Sequence, residues 1–100
     1  MKLQMQSIHF DADQKLLDFI QKKTDKLETF YDKIIDGEVF LRVDKDHNHE
    51  NKIIEIKINI PGGSLFAKEK SKSFEAATDE AVEALKTQLK KYKEKHIEHA

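Results

Sequence analysis

The stretch KIIEIKINIPGGSLFAKE, residues 52–69, decides the architecture. Ile54, Ile56, Ile58 and Ile60 alternate with Glu55, Lys57 and Asn59. That period of two marks a strand with one buried face. PGG then turns the chain back, and SLFAKE reads as the returning strand. Pro61 falls at a strand end, where its missing N–H does no harm. No helix and no Gly-Lys-Ser/Thr run follows the glycines, so they form a hairpin turn and not a phosphate loop.

Upstream, EVFLRV alternates Val39, Leu41 and Val43 against Phe40 and Arg42, a second strand joined to the first by the polar run DKDHNHEN. Near the N-terminus, Leu3 and Met5 alternate with Lys2, Gln4 and Gln6, a third short strand. Between them, from about residue 14 to residue 35, Leu16, Ile20, Leu27, Tyr31 and Ile34 recur at helical spacing. At about 100° per residue they fall within about 60° of arc, a core stripe. Asp11 or Asp13 is the expected N-cap. Gly37 is expected to close this helix as a left-handed C-cap. Downstream, residues 72–95 read as a second helix faced by Phe74, Ala77, Ala81, Val82, Leu85, Leu89 and Tyr92, capped by Ser71 or Ser73. The tail HIEHA is expected to fray.

The order strand, helix, three strands, helix predicts an α+β domain, β-α-β-β-β-α. The first crossover should make the first two strands parallel. The short connections that follow should make an antiparallel meander. Each strand offers one apolar face. The expectation is therefore a four-stranded sheet with two helices packed side by side on one face, the other face meeting water.

Composition narrows function. The chain has 100 residues, enough for a single domain. It has no Cys, which removes disulfides, thiolate catalysis and Cys-based zinc sites. No apolar run is long enough for a membrane helix, and MKLQMQSIHF lacks the features of a signal peptide. A cytoplasmic protein without membrane association is expected. Lys and Arg number 18 against 19 Asp and Glu, a formal charge of −1. The sum hides an asymmetry: residues 1–50 hold 8 basic and 11 acidic side chains, residues 51–100 hold 10 and 8.

The lysines are sorted. Lys15, Lys22, Lys26 and Lys33 share a stripe on the first helix, with Asp18, Asp25, Glu28 and Asp32 on the opposite flank. LKTQLKKYKEK, residues 85–95, carries Lys86, Lys90, Lys91, Lys93 and Lys95 against one acid. Glu75, Asp79 and Glu83 precede them on the second helix, an order that suits the helix dipole. Two such ridges on neighbouring helices could track a phosphate backbone, driven by counterion release. A solvated helix face explains the same lysines without a ligand. Phe10, Phe40 and Phe66 are placed on the open side of the sheet, where aromatics stack unpaired bases or pack a partner. His47 and His49, with Asp44, Asp46 or Glu50, could share a metal on a strand, but read more simply as a solvated loop. No nucleophile–base pair and no pair of carboxylates in contrasting environments stands out, so no catalysis, cofactor or small-molecule substrate is expected.

Nearly the whole chain resembles a known family. KKTDKLETFYDKI, VFLRVDK and SFEAATDEAVEALKTQLKKYKEK follow, in order and spacing, the ribosome hibernation-promoting factors. This is the family of ribosome-associated inhibitor A and the sigma-54 modulation proteins. Ala76, Ala77, Asp79, Leu85, Gln88, Leu89, Lys91, Lys93 and Lys95 sit where the family's second-helix pattern puts them. The resemblance implies binding to the small ribosomal subunit in the channel used by messenger and transfer RNA. It matches the family's basic positions to Lys23, Lys26, Lys33, Arg42, Lys45, Lys91, Lys93 and Lys95, the expected contacts to ribosomal RNA phosphates. Lys22, Lys86 and Lys90 join them from the stripe argument alone. Glu75, Ser73, Ala84 and Thr87 depart from the family pattern, and a weaker affinity for the ribosome is expected. At this length the domain by which longer members join two ribosomes is expected to be absent, and a monomer is expected. The rival expectation is a protein–protein module of the same fold with little affinity for RNA.

Overall fold

A computed structural model describes residues 1–45 and 50–97. The central hairpin is formed by β3 (Lys52–Ile60) and β4 (Gly63–Ser71), paired antiparallel with Ile60 opposite Gly63. Only Pro61 and Gly62 lie between the strands. Proline's fixed φ starts the reversal, and Gly62 completes it at φ 88°, a region where a side chain is strained. β2 (Asp36–Val43) pairs antiparallel with β3, and β1 (Lys2–Ile8) pairs parallel with β2. The sheet order is β1-β2-β3-β4, as the strand alternation predicts.

One face of the sheet is the core. Met5, Val39, Ile56 and Ala67 form a row across all four strands. Val39, Leu41, Ile54, Ile56 and Ile58 are fully buried. The helices α1 (Gln14–Asp25) and α2 (Phe74–Ile97) cover this face. From α2, Phe74, Ala77, Ala81, Val82, Leu85 and Leu89 are buried, the side read from periodicity. At about 25 cal/mol per Å² of apolar area, this continuous patch is the main stabilising contribution. Contacts between the two halves ascend together: Phe10 with Phe74, Lys23 with Asp79, Tyr31 with Tyr92. The helices therefore run parallel, and the chain that follows α1 lies beside the second half of α2.

The caps resolve to Asp13, whose carboxylate accepts from the Leu16 N–H at 2.9 Å, and Ser73, whose hydroxyl accepts from the Ala76 N–H at 3.1 Å. Three expectations need correction. The first helix does not reach residue 35: α1 ends at Asp25 and a 3₁₀ turn follows at Lys26–Thr29. The Leu27 carbonyl there accepts from both Phe30 and Tyr31 N–H groups. β2 begins at Asp36, opposite Lys2, so a helix running to residue 35 would leave no chain for the reversal into the sheet. Leu27, Tyr31 and Ile34 still face the core, now from a tight turn and a connector. Nor is Gly37 a cap. It lies within β2, and a Cβ there would meet Leu3 Cδ2 at 2.7 Å and the Lys57 carbonyl at 3.0 Å. Finally, Phe10 is not on the open face. Its ring stacks on Phe74 at 5.1 Å, closing the core where α2 begins.

On the open face Phe40 is half-buried and Phe66 is 50% exposed, as expected of those two. Ile53, outside the alternating set, faces this side and is nevertheless buried, with Arg42 and Lys70 opposite it in register.

Candidate nucleic-acid interface

The basic side chains fall into two groups. The first gathers where α1 gives way to the 3₁₀ turn and α2 runs past it. Lys22 and Lys26 are exposed there. From α2, Lys86 places its ammonium 4.7 Å from the centre of the Phe30 ring, a cation–π contact. Lys93, two turns on, donates to the Phe30 carbonyl at 3.0 Å. Two lysines of the second helix thus clasp one residue of the first crossover, which fixes the α2 ridge beside Lys26. Lys90, Lys91 and Lys95 are exposed on the same half of α2. Lys33 is exposed too, but on the connector after the turn, not on a helical stripe with Lys15.

Lys23 is only partly available. Its ammonium bonds Asp79 at 3.1 Å and lies 5.5 Å from the Phe19 ring centre. It ties the helices together, and Asp79 offsets its charge.

The second group is remote. Arg42 projects from the open face of the sheet and forms an ion pair with Glu55 on β3. Lys45 is exposed just beyond β2, near Asp44, which bonds Lys70 at 2.8 Å. That is the end where β4 finishes and α2 begins, a helix length away from Lys91 and Lys95. The structure does not bring Arg42 and Lys45 together with the helix-end lysines.

Two acids near the first group are engaged elsewhere. Asp25 accepts from the Met1 ammonium at 2.8 Å, and Glu28 accepts from it as well. Its hydrogen bonds to Asp25 and then Glu28 raise that amine above its ordinary value of 8.0. Between Lys86 and Lys95 the only acid is Glu94.

Beside this surface lies a groove of about 620 Å³ between the connector after the 3₁₀ turn, the β3–β4 turn and the last turns of α2. Phe30, Tyr31 and Tyr92 wall it, and Lys33 and Lys93 line it. Tyr31 and Tyr92 meet edge to face at 5.7 Å, and the Tyr92 hydroxyl donates to the Pro61 carbonyl at 2.9 Å. Loss of solvent around Tyr31, then the proximity of Tyr92 and Asp32, raises its phenol above 10.0. The consecutive aromatics of FYDK are this groove's signal in the sequence, but the helical spacing of Tyr31 points to the core instead.

The proposed metal pair His47 and His49 lies outside the described residues. Among the described residues no three His, Cys, Asp or Glu side chains are grouped to hold a metal. No helix among them is long and apolar enough to cross a membrane.

Comparison with known proteins is consistent along the chain. A ribosome hibernation promoting factor of Pseudomonas putida is 32% identical over 95 residues, covering 95% of this chain and 89% of that protein. A ribosome hibernation promotion factor of Deinococcus radiodurans is 28% identical over 95 residues, and there the chain spans 50% of the relative's length. A ribosomal subunit interface protein from Coxiella burnetii superposes with a TM-score of 0.82 at 26% identity, covering 93% of this chain and 98% of that one. The family model described as Sigma 54 modulation protein / S30EA ribosomal protein matches residues 3–97, and the chain belongs to that family.

Proposed function

We propose that this chain is a ribosome hibernation factor. It docks on the small ribosomal subunit, occupies the channel where messenger and transfer RNA bind, and so keeps idle ribosomes inactive in the cytoplasm. Residues 1–100 act as a single ribosome-binding domain, as a monomer. The mechanism is steric and needs no catalytic group or cofactor. Lysine ammonium groups supply affinity for phosphates as point charges, and the shape of the RNA-walled channel supplies specificity.

The observation that carries this reading is the convergence of Lys86 and Lys93 on Phe30, which joins the two helices' basic ends into one surface. Family membership supports it independently. The proposed phosphate contacts are Lys22, Lys26, Lys33, Lys86, Lys90, Lys91, Lys93 and Lys95. Lys23 contributes from its margin, and Arg42 and Lys45 would meet RNA separately, at the far end of the domain.

A protein-binding alternative draws on the open face, where Phe66 is 50% and Ile8 37% exposed. Co-sedimentation separates the two. Wild type should pellet with small subunits and block binding of messenger and transfer RNA, and a Lys90/Lys91/Lys95→Glu variant should stay in the supernatant. Equal pelleting of both would refute the reading.

A further inference from the structure

We propose that the groove walled by Phe30, Tyr31 and Tyr92 receives one unstacked nucleotide of the RNA, its base against the aromatic wall and its phosphate on Lys33 and Lys93. This rests on the RNA-binding reading above and adds a defined subsite to it.

Three observations meet here. The groove measures about 620 Å³, room for a single nucleotide. Its wall holds three of the eight aromatic residues in the chain. Aromatic faces are what unpaired bases stack on, at about 1–3 kcal/mol per base. Two ammonium groups share the lining. Lys33 is exposed, and Lys93 spends one of its three donors on the Phe30 carbonyl, leaving two for a phosphate. Lys86 sits over the Phe30 ring that walls the groove, so a strand following the cationic surface of α2 comes to its edge.

Two carboxylates line the groove as well, and they bear on the choice of ligand. An aromatic wall with acids would suit an alkylated ammonium ion. Glu28, however, is already held by the Met1 ammonium. Asp32 remains, an acceptor able to take a hydrogen bond from an amino group of a base. A cation entering the groove would meet Lys33 and Lys93, and a nucleotide would be drawn to them.

The chain has two tyrosines and both line this groove, so their ring resonances report on this site alone. The experiment titrates the whole protein with GMP, AMP, CMP and UMP, and separately with ribose 5-phosphate and with trimethyllysine. The nucleotides should shift the tyrosine ring protons upfield, as stacking does. Ribose 5-phosphate should not. Lys33→Gln, an exposed change, should weaken nucleotide binding about tenfold with the circular dichroism unchanged. Tyr31→Phe, which keeps the ring, should retain it. Tyrosine resonances that ignore all four nucleotides, or that move with trimethyllysine instead, overturn the proposal. If wild type pellets with small subunits while nucleotides leave the tyrosines unmoved, the subsite falls and the ribosome reading stands. If pelleting fails while nucleotides shift the rings, the subsite stands and that reading falls.

Discussion

Replacing Lys90, Lys91 and Lys95 by Gln should change how steeply ribosome binding responds to salt. Lys22, Lys26, Lys90, Lys91 and Lys95 are exposed, and none makes an ion pair among the described residues. Each phosphate neutralised releases about 0.9 counterion on duplex-like nucleic acid. The eight proposed contacts give a slope of log K against log salt of about −7. Between 50 and 200 mM salt the wild type should lose about 20,000-fold in affinity. Removing three contacts leaves a slope of about −4.5, and the same change in salt should cost about 500-fold. The fold should not suffer, since exposed substitutions of this kind stay within about 0.5 kcal/mol each. Fluorescently labelled protein titrated with small subunits at four salt concentrations measures both slopes. Parallel lines for wild type and variant would refute the assignment of these lysines to phosphates. A flat wild-type line would refute the electrostatic mechanism altogether.

Gly37→Ala should destabilise the fold by about 1–3 kcal/mol, because the new methyl overpacks the site between Leu3 and the Lys57 carbonyl. Leu3 can swing aside but the carbonyl cannot, and an unchanged urea midpoint would show that the strands yield instead. Ser73→Ala removes the hydroxyl that accepts from Ala76 and should cost about 1 kcal/mol in the same assay, against almost nothing for the exposed Ser64→Ala. The raised Tyr31 value carries a pH dependence of defined sign. The folded state holds the phenol proton more tightly than the unfolded chain, so this contribution is complete below pH 10 and is lost as pH rises through the folded value. Tyr31→Phe should flatten the decline in denaturation midpoint above pH 10, and an equal decline in both proteins would remove the assignment.

Most of the fold was legible because its strongest signal is local. Ile54, Ile56 and Ile58 need only their own alternation to declare a buried face, and all three are fully buried. The Pro61–Gly62 turn is likewise local chemistry. The errors arise where periodicity outlasts the element that produces it. Leu27, Tyr31 and Ile34 keep helical spacing, yet the chain must leave the helix early to reach the sheet. Gly37 looks like a cap from its neighbours in sequence. Its actual constraint comes from Leu3 and Ile58, 34 and 21 residues away. The basic surface was half legible. Lys86 and Lys93 lie seven apart, so one face of α2 was evident, but nothing in the sequence says that both would reach Phe30. The Lys23–Asp79 bond, 56 positions apart, was hidden for the same reason.

A chain of net charge −1 can still present a cationic surface because charge is felt locally. At 0.15 M ionic strength, fields between exposed groups fade over about 8 Å. Along α2, Glu75 and Lys91 are 16 residues apart, about 24 Å at 1.5 Å per residue. The acidic start of the helix therefore does little to cancel its basic end. Of the acids that could reach that end through the first crossover, Asp25 and Glu28 are bound to the Met1 ammonium and Asp32 remains beside the groove, while Asp79 is bound to Lys23. What a phosphate meets at the helix ends is then set by Lys26, Lys86, Lys90, Lys91, Lys93 and Lys95 against Asp32, Glu83 and Glu94, not by the sum over the chain. The same reasoning assigns the departures from the family pattern a modest weight. Glu75 lies in the first turn of α2, several screening lengths from this cluster. Thr87 falls within the cluster itself, so Thr87→Lys should raise small-subunit affinity more than Glu75→Tyr does. Pelleting at several salt concentrations reads the difference, and a larger gain from Glu75→Tyr would place the binding surface at the other end of the helix.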